Sequence, residues 1–342
     1  MARTTAGRTA LRLSGTLLIG LVIVGLGVWG VLALWYRGPP GDVGDAALIG
    51  GWIGFVAVTL THAWRRPVQG LLAMGVGFGV LLAWWASIPP RGDRQWAPEL
   101  AVQFTSVANL ADPDRVTLTG VRNFDWRSLE DCDARWETRS YDLGALTSVD
   151  LLLTYWAGPA IAHTMVSFGF ADGGHLAFSG EIRRDNTETF SEIGRFFKDF
   201  ELILIAADER DVVRRRTNVQ REDVRLYRVA MPPDVMRELF LAYVATGDDL
   251  AARPRWYNTV TANCTTVIFE MVRRIVPGLP LDWRLIVSGY LPEYLYGIGA
   301  LAMRFDLPEL QTMARISGPV EAADAEPGFS AAIREGIPAL PH

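Results

Sequence analysis

Three stretches near the start of the chain carry no Asp, Glu, Lys or Arg: Leu13 to Tyr36, Ala46 to Trp64 and Pro67 to Pro90. Each reaches or approaches the roughly 20 residues needed to cross about 30 Å of hydrocarbon, and each is rich in Leu, Val, Gly and Trp. The pattern predicts transmembrane helices at about 14–36, 46–64 and 69–88, so residues 1–90 form a membrane domain to which the rest of the fold is tethered. The first run is too long for a signal peptide and ends in Tyr36-Arg37-Gly38-Pro39-Pro40, not in a small-residue cleavage site.

The arginines set an expected orientation. Arg3, Arg8 and Arg12 precede the first run, and Arg65 and Arg66 lie between the second and third, whereas Arg37 is offset by Asp42 and Asp45. A cytoplasmic amino terminus follows, and three crossings put everything after Pro90 outside the inner (cytoplasmic) membrane, in the periplasm. Arg91 and Arg94 run mildly against this assignment. The membrane segment holds six Arg and two Asp, so with −5 for the whole chain the remainder carries about −9. An acidic surface repels phosphate, which excludes nucleic acid as a partner. Cys132 and Cys264 are too few for a disulfide framework, and one bond between them would consume the only attractive nucleophile.

Residues 91–114 show little periodicity and read as a connector to a domain over 115–342. Within that domain, strand patterns cover Arg115–Asn123, Val149–Trp156, Ala160–Phe170, His175–Ile182, Glu201–Ala206 and Val224–Val229. Helical patterns cover Phe190–Asp199, Pro233–Val244 and Thr265–Val276. Strands cluster early and helices late, the signature of an α+β domain with an antiparallel sheet packed on helices.

Cys264 sits where the polar turn sequence Tyr257-Asn258-Thr259-Val260-Thr261-Ala262-Asn263 gives way to the apolar-periodic helix Val267-Ile268-Met271-Val272-Ile275. In the first turn of a helix, the backbone dipole and unpaired amides favour thiolate over thiol. The plain alternative is a small buried residue that follows a cap. A thiol nucleophile needs a base. Of the four histidines, His62 lies in a membrane run, His342 is the last residue, and His175 adjoins the turn sequence Ala171-Asp172-Gly173-Gly174. His163 remains, on a strand whose Ala162, Val166, Phe168 and Phe170 can face a core while His163 and Ser167 point to the other side.

Pairing the apolar faces of the hairpin puts Ser179 and Glu181 on the side of His163, with Glu181 roughly opposite it if the turn contains one odd residue. A carboxylate there can hold the imidazole tautomer, and Ser179 is the lesser candidate for that role; a salt bridge from Glu181 to Arg183 or Arg184 is the structural alternative. The Cys264 amide is a natural oxyanion donor, with Asn263 or Tyr257 as a second, although capping explains Asn263 equally well. Arg210 and Arg214 to Arg216 read as solvated surface or lipid-headgroup contacts. No CxxC or HxxxH spacing points to a metal, Gly173-Gly174 reads as a hairpin turn and not a phosphate loop, and no cofactor is expected. The glycines of the membrane runs read as helix-packing positions.

Several segments resemble a bacterial family, the Lnb N-terminal periplasmic domains. They are Val121-Arg122-Asn123-Phe124-Asp125-Trp126, Ile161-Ala162-His163-Thr164-Met165-Val166-Ser167-Phe168-Gly169-Phe170, Ser179-Gly180-Glu181-Ile182-Arg183-Arg184, Ala207-Asp208-Glu209-Arg210-Asp211-Val212-Val213 and Asn263-Cys264-Thr265-Thr266. Leu291-Pro292-Glu293-Tyr294-Leu295-Tyr296 and Ala314-Arg315-Ile316-Ser317 extend the likeness, and Gly180 departs from it where a larger β-branched residue is expected. The resemblance implies a circularly permuted papain-like fold of the NlpC type, in which the histidine precedes the cysteine. It also implies a thiol enzyme with Cys264 as nucleophile and His163 as base; the namesake moves a fatty acyl chain within a lipoprotein. The function expected is a membrane-anchored acyltransferase or lipid acyl hydrolase acting on a lipoprotein or phospholipid, with membrane lipid as its partner. A cell-wall amidase or peptidase using the same dyad and a non-catalytic binding or assembly module are the alternatives.

Overall fold

The computed structural model describes residues 2–38, 42–108, 112–156, 158–186, 191, 193–276, 278–316 and 328–340, with side chains from residue 14 onward except at 42 and 43. His342, Phe190 and Ser317, which enter the sequence reading, lie outside the described residues. The chain divides into two compact units. One comprises residues 1–90 with 190–199, the other residues 91–189 with 200–342.

The first unit contains α1 (Ala2–Arg37), α2 (Asp42–Arg65) and α3 (Pro67–Ser87), each long and apolar enough to cross a membrane. Their contacts use small residues. A side chain at Gly30 would collide with the Trp52 ring and one at Gly70 with Ala63, while Gly20 and Gly50 meet nothing, so only some of the glycines serve helix packing. Leu18, Leu21, Val76 and Val80 are exposed, as they are on helices whose solvent is lipid. In the same unit, Phe197 stacks on Tyr36 with ring centroids 5.8 Å apart. Lys198, the chain's only lysine, donates to the carbonyls of Trp85 and Ile88 at the end of α3 and lies 4.3 Å from the Trp85 ring. The stretch read as a helix over Phe190–Asp199 is, among its described residues, a single 3-10 turn, Gly194–Phe196.

The second unit is α+β. Its strands are β1 (Thr105–Ala108), β2 (Arg115–Arg122), β3 (Asp125–Trp126), β4 (Cys132–Asp133), β5 (Trp136–Asp142), β6 (Leu146–Tyr155), β7 (Ala162–Phe170), β8 (His175–Arg183), β9 (Glu201–Ala207), β10 (Asp223–Val229) and β11 (Arg255–Trp256). Its helices are α4 (Glu209–Arg214), α5 (Pro233–Ala252), α6 (Cys264–Ile275), α7 (Leu291–Gly297), α8 (Leu307–Met313) and α9 (Phe329–Ala332). Nine strands form one sheet in the order β1-β2-β9-β8-β7-β6-β10, with β5 also on β2 and β11 on β9. Pairing is antiparallel except for one parallel bridge, Arg122 to Ala207, so the sheet is mixed. The stretch read as a connector is part of this unit: it contributes β1, fully buried Phe104 and a bridge from Trp96 to Asp185.

The face of β7 that bears His163 and Ser167 is expected to be the one turned away from the apolar core. Instead every residue of β7 is buried, because the sheet is covered on both sides. Val166, Phe168 and Phe178 belong to a core completed by Phe240 and Tyr243 of α5, Met271 of α6 and Tyr294 of α7. Met165, Ala177 and Ile203, one residue out of phase, belong to a second core with Val212 and Val213 of α4 and Phe329 of α9.

Buried charge ties the second side together. The Asp211 carboxylate accepts from Arg122 Nε at 2.8 Å and Nη2 at 3.1 Å, from the Phe124 amide at 2.9 Å and from Trp126 Nε1 at 2.8 Å. Two of the motifs noted in the sequence are therefore halves of one knot. Nearby, Arg334 reaches both Glu209 and Asp150 at 2.7 Å, and both carboxylates are fully buried. Arg214 donates to Trp126 O and Arg215 lies 4.3 Å from the Trp126 ring. Arg210 and Arg214 lie near Asp125, Arg216 bridges two glutamates, and all three have side chains less than a fifth exposed, which corrects their reading as solvated surface or headgroup contacts.

Removing one partner of a buried ion pair strands the other without water. Asp211→Ala is expected to cost about 3–5 kcal/mol, read as a lowered melting temperature of the full-length protein in detergent by tryptophan fluorescence. An unchanged melting temperature would show that the knot is not a source of stability.

Candidate active site

The hairpin β7–β8 pairs Met165 with Ser179 and Val166 with Phe178, and the ladder ends there. Continuing the same register sets Glu181 opposite His163. The imidazole Nε2 lies 2.8 Å from Ser179 Oγ and 3.0 Å from Glu181 Oε1, and Ser179 Oγ donates to the same carboxylate oxygen at 2.7 Å. Both residues named for orienting the ring thus sit on it together. The salt bridges from Glu181 to Arg183 or Arg184 do not form. Arg183 donates to the Leu100 and Ala101 carbonyls and Arg184 to Glu99. Arg216 takes their place, 3.5 Å from Glu181 and 3.4 Å from Glu222. It stands in a π-helical turn, Arg215–Val219, that follows α4, and its spacing in sequence gives no hint of this contact.

Cys264 opens α6. The turn before it is closed by reciprocal bonds between Asn258 and Ala262, and the Asn258 side chain accepts from the amides of Val260 and Thr261. Asn263 then caps the helix. Its Oδ1 accepts from the amides of Thr265 at 2.9 Å and Thr266 at 2.8 Å, and Thr266 Oγ1 accepts from the Asn263 amide. Asn263 Nδ2 donates to Thr259 O, so its side chain is spent on the cap and not held out as an oxyanion donor. Tyr257 is buried in the main core, its amide donating to Phe200 O, which is the place of a structural residue. The Cys264 amide is different: as the first residue of the helix it has no intrahelical acceptor.

The α6 helix lies against the sheet face away from His163, and the two side chains meet beyond the last β7–β8 pair. The close approach depends on Gly180, where a Cβ would stand 3.3 Å from Cys264 Cα. This gives the departure at Gly180 a steric reason. Burial disfavours charge on Cys264, but a hydrogen bond and the positive charge of His163, with the Thr164 amide and the Thr265 hydroxyl, hold its pKa below the ordinary thiol value. Burial likewise works against the imidazolium, yet Glu181 and the bond to Cys264 raise His163 to about 9. Glu181 itself, despite its burial, is held well below the usual carboxylate range by His163 and Arg216. With Nε2 given to Ser179 and Glu181, Nδ1 is the nitrogen left to exchange a proton with sulfur.

The remaining candidates stand apart from this group. His175 closes its turn, with Nδ1 at 3.0 Å from Gly173 O, and His62 meets Gln69 in the first unit. Cys132 and Cys264 are both free thiols. As parts of the site, Thr164 and Thr265 carry no signal in the sequence, Gly180 stands out there only as a departure from the family pattern and Arg216 only as a surface or headgroup arginine; each matters through a neighbour distant in the chain.

No curated protein and no solved structure shows significant similarity to the chain. Residues 133–289 match the family model described as the Lnb N-terminal periplasmic domain. The match takes in His163, Ser179, Glu181, Asn263 and Cys264 and leaves out the three apolar helices, the Val121–Trp126 segment and everything after Gly289. The second unit is therefore the extracytoplasmic part of a membrane-anchored protein, and its stretch from Asp133 to Gly289 belongs to the Lnb N-terminal periplasmic domain family.

Proposed function

We propose that the protein is a thiol-dependent acyltransferase or acyl hydrolase acting on a lipid ester at the outer face of the inner membrane, with its amino terminus in the cytoplasm. The observation that carries this reading is the imidazole of His163, gripped by Glu181 and Ser179 and interacting with a cysteine at a helix start. The order of histidine strand before cysteine helix supports a permuted papain-like arrangement. Three apolar helices long enough to cross a membrane attach the domain to a bilayer, where lipid esters are concentrated.

The chemistry runs in two steps. The Cys264 thiolate adds to the ester carbonyl, and the oxyanion is met by the Cys264 amide. Collapse breaks the carbon–oxygen bond, the alcohol leaves with a proton from His163, and a thioester remains. An amine or water then attacks, surrenders its proton to His163, and releases the acyl group with the thiolate restored. Glu181 stabilises the imidazolium in both steps, and Arg216 holds Glu181 in place.

Purified full-length protein incubated with diacylated lipopeptide, phospholipid vesicles and muropeptides is expected to move or release acyl groups from a lipid. Cys264→Ala or His163→Ala should lower that rate by at least about 10³-fold, and Glu181→Gln by roughly 10²- to 10⁴-fold, since the ring loses its orienting charge. Turnover confined to muropeptide would make it a cell-wall amidase. No turnover on any substrate would leave a binding module.

The thiolate–imidazolium pair should exist between the lowered cysteine pKa and the raised histidine pKa, which is about 9. Alkylation of Cys264 by iodoacetamide, followed against pH by mass spectrometry, is expected to have its midpoint below the free-thiol value of about 8.5. His163→Ala should move that midpoint upward, because a buried thiolate is left without its cation. Glu181→Gln should move the alkaline limb of activity down from about 9, because the imidazolium loses its carboxylate. Coincident profiles for all three proteins would rule out the ion pair.

A further inference from the structure

A partly open apolar cavity of about 300 Å³ lies between the β6–β7 face of the sheet and helices α5, α6 and α7. Its lining is hydrocarbon apart from Thr265 and Tyr294, and both hydroxyls are engaged elsewhere. Thr265 Oγ1 lies 3.0 Å from Thr164 Oγ1, and Tyr294 Oη donates to Pro280 O at 3.1 Å. Nothing on these walls asks for a polar ligand. A void of this size in a domain core leaves its lining short of dispersion contacts, which an apolar occupant restores.

Position links the cavity to the thiol. Thr265 lines it and also holds its hydroxyl 3.8 Å from Cys264 Sγ. From there Ile268, Val272 and Val276 carry the wall along one stripe of α6. At about 1.5 Å per residue the stripe from Thr265 to Val276 spans roughly 16 Å. One leaflet of a bilayer, half of a hydrocarbon core of about 30 Å, is spanned by a single acyl chain over about 15 Å. The cavity therefore has the chemistry of a lipid tail, approaches its length, and begins at Thr265, the residue next to Cys264.

Resting on the acyl-transfer reading of Cys264, we propose that this cavity receives one fatty acyl chain of the substrate and limits its length. The ester carbonyl sits at Sγ, the chain runs down α6 past Ile268 and Val272, and the methyl end lies near Val276. Selectivity then comes from the depth of the cavity, since each further methylene buried there strengthens binding.

Two readouts test this on the full-length protein. The first needs no catalysis. Cys264→Ala in membrane vesicles is irradiated with palmitate carrying a terminal diazirine. Adducts that excess unlabelled palmitate suppresses are expected on the α6 or α7 peptides; adducts confined to α1–α3 or to exposed surface overturn the proposal. The second compares hydrolysis of p-nitrophenyl butyrate and palmitate. Val272→Trp plugs the stripe halfway and should lower kcat/KM on palmitate by at least about tenfold while leaving butyrate within about twofold. Val276→Phe, a milder change at the far end checked for folding by its melting curve, should shift the preference toward shorter chains to a smaller degree. Equal losses on both esters in well-folded variants would overturn the proposal. If wild-type protein hydrolyses neither ester yet the adducts appear on α6, the catalytic reading fails and the acyl cavity stands.

Discussion

The register of one hairpin governs the candidate site. Because β7 and β8 pair Met165 with Ser179, the next residues on the same face are His163 and Glu181, and the ladder lapses where they meet. A slip of one residue would turn the imidazole to the core beneath α5 and α6 and put Ala162 or Thr164 in its place. The hydrogen-bonded strands supply rigidity; the missing rungs supply the opening through which a sulfur from the other face of the sheet reaches the ring.

That opening is shared by two elements with different tasks. The α6 helix brings the cysteine and the apolar wall behind it, so that nucleophile and cavity move as one body. The π-helical turn after α4 brings Arg216 to the back of Glu181. The ring of His163 is thus held by the hairpin and from both sides, which accounts for a buried imidazole favouring its charged form.

Much of this was legible in residues before any coordinates. Strand-like runs marked β7, β8, β9 and β10 to within a residue or two, and the pairing of apolar faces brought Glu181 to His163. The polar turn ahead of Val267 marked the start of α6. Other parts were opaque for a physical reason. Strand β5 reads Trp136-Glu137-Thr138-Arg139-Ser140-Tyr141-Asp142, and nothing in so polar a run says that it lies on β2. Buried arginines look like surface arginines in sequence: Arg122, Arg215 and Arg216 are inside because a carboxylate or an aromatic ring far along the chain receives them. Gly180 carried a signal only as a residue smaller than its relatives suggest, and its reason lies in a helix more than 80 positions later.

The Arg334 clasp has a kinetic side. It joins Asp150 and Glu209 to a residue 184 and 125 positions further on, so the loops it closes are among the longest in the domain. Contacts of such high sequence separation form late, after most of the entropy of the chain has been surrendered. Until then, among the described residues, Asp150 has only Arg228 and Glu209 only the Ser167 hydroxyl as partners, beside apolar strands that are still uncovered. A chain in that state exposes apolar surface that favours aggregation, and closing the clasp covers it.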